Sequence, residues 1–343
     1  MNIKKVYQLL LLVMFTSCDN TSETFLDLFS DRNTEKLYLV EEFPLDSLGS
    51  PDAILAVDDY WFFLEPKLEH QLTCYNVSKN TFSHKLMKGN GPDEVISVQT
   101  IGIGNTYDEI YVTDLMAQNV IKVIVGDSVS VKFSKELKWE NLRFCDVAYD
   151  GGVEFALLIG EDKRFGVRDE NGIRFFGQNI TGLGVNPEVV SQVLQGPCIV
   201  SSVNKRIAWF SAYGDVMEVY DYKNLNDINL INQNVACLPI VDKSSKNGSL
   251  DFHTKMGVTS LAATDEYIYA LYNERNLKEA IENRNNAFFT NKILLFTWEG
   301  EPYKIVEVDK QIKSITYDKK NDVLLCLGLN ENLDYAVYSF PLK

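Results

Sequence analysis

A strand pattern that comes round about six times constrains this chain more than any catalytic motif does. One copy runs through Asn119-Val-Ile-Lys-Val-Ile-Val125, turns at Gly126-Asp127 and returns through Ser128-Val-Ser-Val-Lys-Phe133. A unit of that size cannot bury both faces of its own small sheet, so repetition requires blades packed on one another and predicts an all-β propeller. Dense β-branched or aromatic runs, often entered from an acidic turn, start at residues 60, 109, 154, 206, 267 and 322. Their spacing is close to that of four-stranded blades, and they mark the second strand of each of six. Weaker strands precede them, as at Ala53–Asp58 and Cys145–Asp150, and third strands follow, as at Leu72–Val77 and Tyr335–Phe340. Gly126-Asp127, Asn171-Gly172 and Gly300 supply turn chemistry between third and fourth strands. Three rows of strands in one order do not arise from a sandwich with irregular loops.

The sixth blade has only three strands before Lys343, while Lys36–Phe43 reads as a strand with no hairpin partner nearby. Pairing the two predicts a ring closed by an N-terminal strand that joins the last blade, which also removes an exposed edge. The propeller then occupies residues 36–343. Asp19–Glu35 is polar and strand-poor, so residues 18–35 read as a tether.

Lys4 and Lys5 precede an apolar run from Val6 to Phe15, too short to span a bilayer but suited to the core of a secretory signal over residues 1–17. Thr16-Ser17-Cys18 resembles the lipobox of bacterial lipoproteins, with Phe15 where leucine is usual. That resemblance implies cleavage before Cys18 and a lipid anchor on it. The alternative is an ordinary cleaved signal with an incidental cysteine. Taken with the ring closure and the loop Lys88-Gly-Asn-Gly-Pro-Asp-Glu94, the chain resembles the TolB-like six-bladed propeller lipoproteins of Gram-negative anaerobes, whose first blade is commonly followed by a Gly-x-Gly-Pro-x-Glu loop. The resemblance implies a fold and a place on the outer membrane, facing the periplasm or the exterior. It implies no particular chemistry.

The formal net charge is −15, and loss of residues 1–17 removes two lysines and no acid, so phosphate backbones are poor partners and nucleic acid is not expected. After Cys18 come Cys74, Cys145, Cys198, Cys237 and Cys326, mostly in apolar strands, where they read as buried small hydrophobes. The histidines, His70, His84 and His253, lack short-range ligand spacing, so neither a metal nor another cofactor is expected. No Gly-x-Ser-x-Gly elbow occurs, and no catalytic residue is assigned.

Propeller ligands are sought where the inter-blade loops converge with those joining second to third strands. Glu65, His70, Asp114, Asn119, Trp139, Lys163, Arg164, Tyr213, Asp215, His253, Arg275, Arg284 and Glu331 fall there. Arg164, His253, Arg275 and Glu94 are the candidate ligand-binding residues, because cations are scarce in this acidic chain and convergent arginines would hold an anionic group. The Gly89–Glu94 loop either turns amides or Glu94 toward a ligand, or simply makes the sharp crossing between blades; a looser echo, Gly182-Leu-Gly-Val-Asn-Pro-Glu188, favours the crossing. No helix is expected after either loop. Insertions at Pro239–Met256 and Asn273–Asn291 enlarge this face, the second with a short helix at Leu277–Ile281. The expected role is a monomeric binding or scaffolding lipoprotein of the cell envelope, engaging a peptide, glycan or envelope protein. The alternative is a propeller hydrolase or lyase acting on a carbohydrate or lactone.

Overall fold

The computed structural model describes residues 24–45, 48–104, 108–133, 139, 142–242, 249–283 and 286–342. The signal at 1–17, Cys18 and Arg284 lie outside them. The predicted rows of strands are present, and antiparallel neighbours order them into six blades. Blade one is Ala53–Val57, Tyr60–Leu64, His70–Asn76 and Thr81–Met87, and blade two is Val98–Ile103, Glu109–Asp114, Asn119–Ile124 and Ser130–Phe133. Blade three is Arg143–Asp150, Val153–Ile159, Lys163–Asp169 and Gly172–Gln178, and blade four is Cys198–Ser201, Arg206–Phe210, Asp215–Asp221 and Asn229–Cys237. Val258–Ala263, Tyr267–Tyr272 and Thr290–Thr297 begin blade five. The 17-residue strand Pro302–Asp318 completes blade five with its first part and opens blade six with its second. Val323–Leu329 and Tyr335–Pro341 follow in blade six.

The middles of the second strands are apolar and buried because neighbouring blades cover both faces, and all five residues of Tyr60–Leu64 are buried. Outer strands face water on one side and alternate, as the middle of Asn229–Cys237 does. One apolar cluster fills each seam. Phe62 and Leu64 of blade one meet Ile110 and Val112 of blade two, and Tyr111 of blade two meets Phe144 and Leu158 of blade three. Phe165 meets Trp209 across the next seam, and Phe210 and Met217 meet Ile268 and Leu294 across the one after. Leu271 and Ile293 meet Ile315 and Leu324, and Leu325 and Val337 return to Trp61 and Phe63. The ring is thereby closed, and Ser314 and Thr316 of blade six accept the backbone N–H groups of Ile54 and Ala56 of blade one at 3.2 Å each.

The N-terminal segment closes the ring in two pieces rather than as one strand over Lys36–Phe43. Thr34–Leu37 adds in parallel to Ile305–Val308 at the outer edge of blade five. The chain then crosses to blade six, where Glu41–Pro44 pairs antiparallel with Ala336–Ser339. The tether expected over 18–35 is corrected over its described part. Phe25–Phe29 is a 3-10 turn whose two phenylalanines are buried in the seam of blades four and five, 5.2–6.3 Å from the rings of Phe210, Tyr272 and Phe296. Seam burial, which local polarity does not report, decided this. The Gly182 loop also runs into a helix that was not expected, α1 (Pro187–Val193), started by Asn186 accepting from the N–H of Val189 with Pro187 in its first turn. The helix predicted at Leu277–Ile281 is α2 (Leu277–Glu282), started by the reciprocal Asn276–Glu279 capping box. At the Asn171-Gly172 turn, Gly172 has φ +112°, a backbone that a side chain would strain.

Candidate functional site

In each blade the loop from second to third strand lies on the same face as the crossing to the next blade. Several sequence candidates on this face prove to be the pins that hold those crossings. Glu65 is buried and accepts from the N–H groups of Gly49 and Ser50, at 2.7 and 3.2 Å, and from the Thr73 hydroxyl. Asp114 does the same one blade on, taking the N–H groups of Ile96, Ser97 and Ala117 at 2.6–3.3 Å. Asp215 accepts the Phe25 N–H and the Tyr272 hydroxyl, each at 3.0 Å, and burial pushes its pKa up to about 6. Trp139 is buried beneath the Arg168 guanidinium, which stands 5.0 Å from the ring centroid. These residues shape the face from within it.

The four candidate ligand-binding residues do not come together. In the Gly89–Glu94 loop the Gly91 N–H donates to the Glu94 carboxylate at 2.7 Å, and the flanks pair through Gly89 N to Val95 O and Val95 N to Met87 O, both 2.9 Å. A side chain on Gly89 would run into that carboxylate, so the motif is a self-closed crossing, with Glu94 as its internal cap. Arg275 donates from Nη1 to the carbonyls of Asn286 and Phe289, at 2.7 and 2.8 Å, and so staples the insertion between the second and third strands of blade five. His253 is exposed, with Nδ1 2.8 Å from Asp251. Its backbone N–H, and then its ring, hold the Asp251 carboxyl below the usual range.

Arg164 lies inside the wall between blades three and four, only 3% exposed. Its guanidinium stacks 4.3 Å from the Trp209 centroid, and its Nε stands 3.4 Å from Glu218, too poorly aligned for a hydrogen bond. Burial lowers its pKa, against the raising effect of Glu218. Glu218 is itself buried and accepts from the Tyr220 hydroxyl at 2.8 Å and Gln233 Nε2 at 2.7 Å. The anion site expected of Arg164 and Arg275 is therefore not formed. One cation belongs to a seam and the other to a loop staple.

That seam opens outward into a cleft of about 440 Å³ between the outer strands of blades three and four. Lys163, Gln178, Glu218, Tyr220, Asn226 and Gln233 supply its polar groups, and Phe175 and Phe176 much of its apolar wall. Phe176 is buried and Phe175 is 47% exposed, as adjacent residues of one strand must be. Gly177, at φ +71°, lets the Tyr220 hydroxyl approach where any Cβ would stand 2.9 Å from it. Burial raises the pKa of Tyr220, so its hydroxyl stays a donor. The pair of adjacent phenylalanines was the legible signal for this site. Its two walls are about 50 residues apart, so nothing local joined them.

Among the described residues no group of three or more His, Cys, Asp or Glu side chains is placed to hold a metal ion. Cys74, Cys145 and Cys326 are buried in the strands, and burial pushes Cys74 up to about 12. No described helix is long and apolar enough to cross a membrane. The fold is shared with a protein from Bacteroides fragilis at 12% identity and a TM-score of 0.57, over 90% of this chain and 99% of that one. A DUF4221 family member from Bacteroides vulgatus aligns at 9% identity and 0.52, over 89% and 97%. A luciferin-regenerating enzyme aligns at 12% identity and 0.50, over 88% and 95%. At such identities the likeness is one of fold alone. No curated protein sequence matches the chain. The profile of the TolB-like 6-blade propeller-like family matches residues 29–320, and to that family the chain belongs.

Proposed function

We propose that this protein is a monomeric lipoprotein of the bacterial outer membrane, anchored through Cys18, that binds a short glycan in the cleft between blades three and four. The observation that carries the reading is the cleft itself. Its volume of about 440 Å³ suits one or two sugar rings, and the half-exposed Phe175 gives an apolar face for a ring to rest on. Gln178, Asn226 and the Gln233 amide offer paired donors and acceptors of the kind hydroxyl groups use. The cleft presents side-chain amides, a hydroxyl and an aromatic ring, with a buried ion pair behind them, and this set suits a sugar better than an added peptide strand.

The test is a panel of envelope and host oligosaccharides presented to the wild-type protein and to Phe175→Ala and Gln178→Ala. Binding weakened at least about tenfold in both variants, with unchanged melting temperature, supports the reading. Equal binding by all three proteins removes the cleft from consideration. Appearance of a cleaved or eliminated product would replace the binding role with the hydrolase or lyase alternative.

A further inference from the structure

The two insertions of the crossing face pack on one another. Met256 N donates to Arg275 O at 2.8 Å, Leu277 N to Thr254 O at 2.9 Å and Lys278 N to Phe252 O at 2.9 Å, and Met256, Ala280 and Ala287 make a small core between them. That core does not take up all the apolar side chains. Ile240, Phe252, Ile281 and Phe288 remain 50, 60, 47 and 55% exposed, on a single cap over blades four and five. Four large apolar residues thus stand half exposed on one hydrogen-bonded loop unit, the kind of face that seats on a membrane or a partner.

The described chain begins beside this cap. Phe25 N is bound to Asp215, and the same turn of blade four carries the cap, through Gly214 N to Lys255 O at 2.8 Å, Gly257 N to Ala212 O at 3.0 Å and the bridge of Tyr213 with Met256. Cys18 precedes Thr24 by six residues, a span of at most about 20 Å of extended chain. A lipid on Cys18 therefore holds the cap close to the bilayer, whichever way those residues run. We infer that the cap is a membrane-seating surface, with Phe252, Ile240, Ile281 and Phe288 resting in the interfacial layer of the phospholipid bilayer to which Cys18 is anchored. The inference rests on the lipid-anchor part of the proposed function and is independent of the glycan cleft. Such seating fixes the orientation of the ring, with the cap and crossing face of blades four and five toward the lipid.

The test uses the lipidated full-length protein reconstituted in phosphatidylcholine vesicles with or without brominated acyl chains. A reporter indole is placed at the cap by Phe252→Trp or, separately, at the opposite face of blade four by Val203→Trp, a position 67% exposed in the native chain. The native tryptophans at 61, 139, 209 and 298 are buried and contribute the same background to both. The reporter at position 252 is expected to lose roughly half its emission, as for a side chain held about 5–10 Å into the interface, while the reporter at position 203 loses none. Flotation with the vesicles and no quenching at position 252, or equal quenching at both positions, overturns the seating while leaving the anchor intact. Failure to float overturns the anchor, and the seating with it.

Discussion

Removal of residues 24–33 is expected to destabilise the ring, although the sequence alone reads residues 18–35 as a tether. Phe25 and Phe29 are 0 and 2% exposed; Phe25 lies among the rings of Phe210, Tyr272 and Phe296, and Phe29 meets Phe296 edge to face in the same cluster. Burial of a phenylalanine contributes about 1.5–3 kcal/mol, so the pair contributes about 3–6 kcal/mol before the segment's ordering entropy is subtracted. Loss of the Phe25 N–H bond to Asp215 adds the cost of a carboxylate that keeps only Tyr272 as a partner. A net loss of about 2–4 kcal/mol is expected. Because the segment can peel away, its docking energy also caps the damage. Phe25→Ala and Phe29→Ala should therefore combine to less than their sum, and the double variant should resemble the deletion. Urea unfolding of chains beginning at Thr24 and at Thr34 measures this directly, with hydrogen exchange at Val216 and Tyr272 as the local report. If the shorter chain unfolds at the same urea midpoint with the same slope, the seam does not need its plug and the reasoning fails.

Extending the deletion through Pro44 removes the fourth strand of blade six, and stability should fall by several kcal/mol further, seen as a second drop in urea midpoint. Glu218→Ala leaves the Arg164 guanidinium buried without its carboxylate and should cost about 3–5 kcal/mol, whereas Arg164→Met with Glu218→Gln should cost much less by the same unfolding assay. Asp215 has a folded pKa of about 6 against 3.8, so the folded state binds the extra proton between those values and gains stability as pH falls through 6 toward 4, by up to about 3 kcal/mol. Asp146 behaves alike, also near 6, so Asp215→Asn should flatten part of the stability profile between pH 7 and 4 and leave the remainder. Cys18→Ala should abolish detergent partitioning of the full-length protein, and unchanged partitioning would count against the anchor.

The sequence alone determined the blades. A second strand lies between two neighbouring blades and its middle must be apolar, so Tyr60–Leu64 and Tyr267–Tyr272 were legible to the residue, and a short helix was legible at Leu277–Ile281. Hairpin order followed because neighbours in sequence are neighbours in the sheet. Contacts between blades were a different matter. Arg164 could be read only as a rare cation on a loop face, because its ring partner Trp209 and its counter-ion Glu218 stand 45 and 54 residues further on. Phe25 and Phe29 belonged to a polar stretch with no strand period, and only the gap between two blades made them core. The cleft, the cap beside the chain's first described residues and the two-part closure were likewise decided by how the blades meet. Periodicity records which side of a strand is covered; it carries no record of which distant residue does the covering.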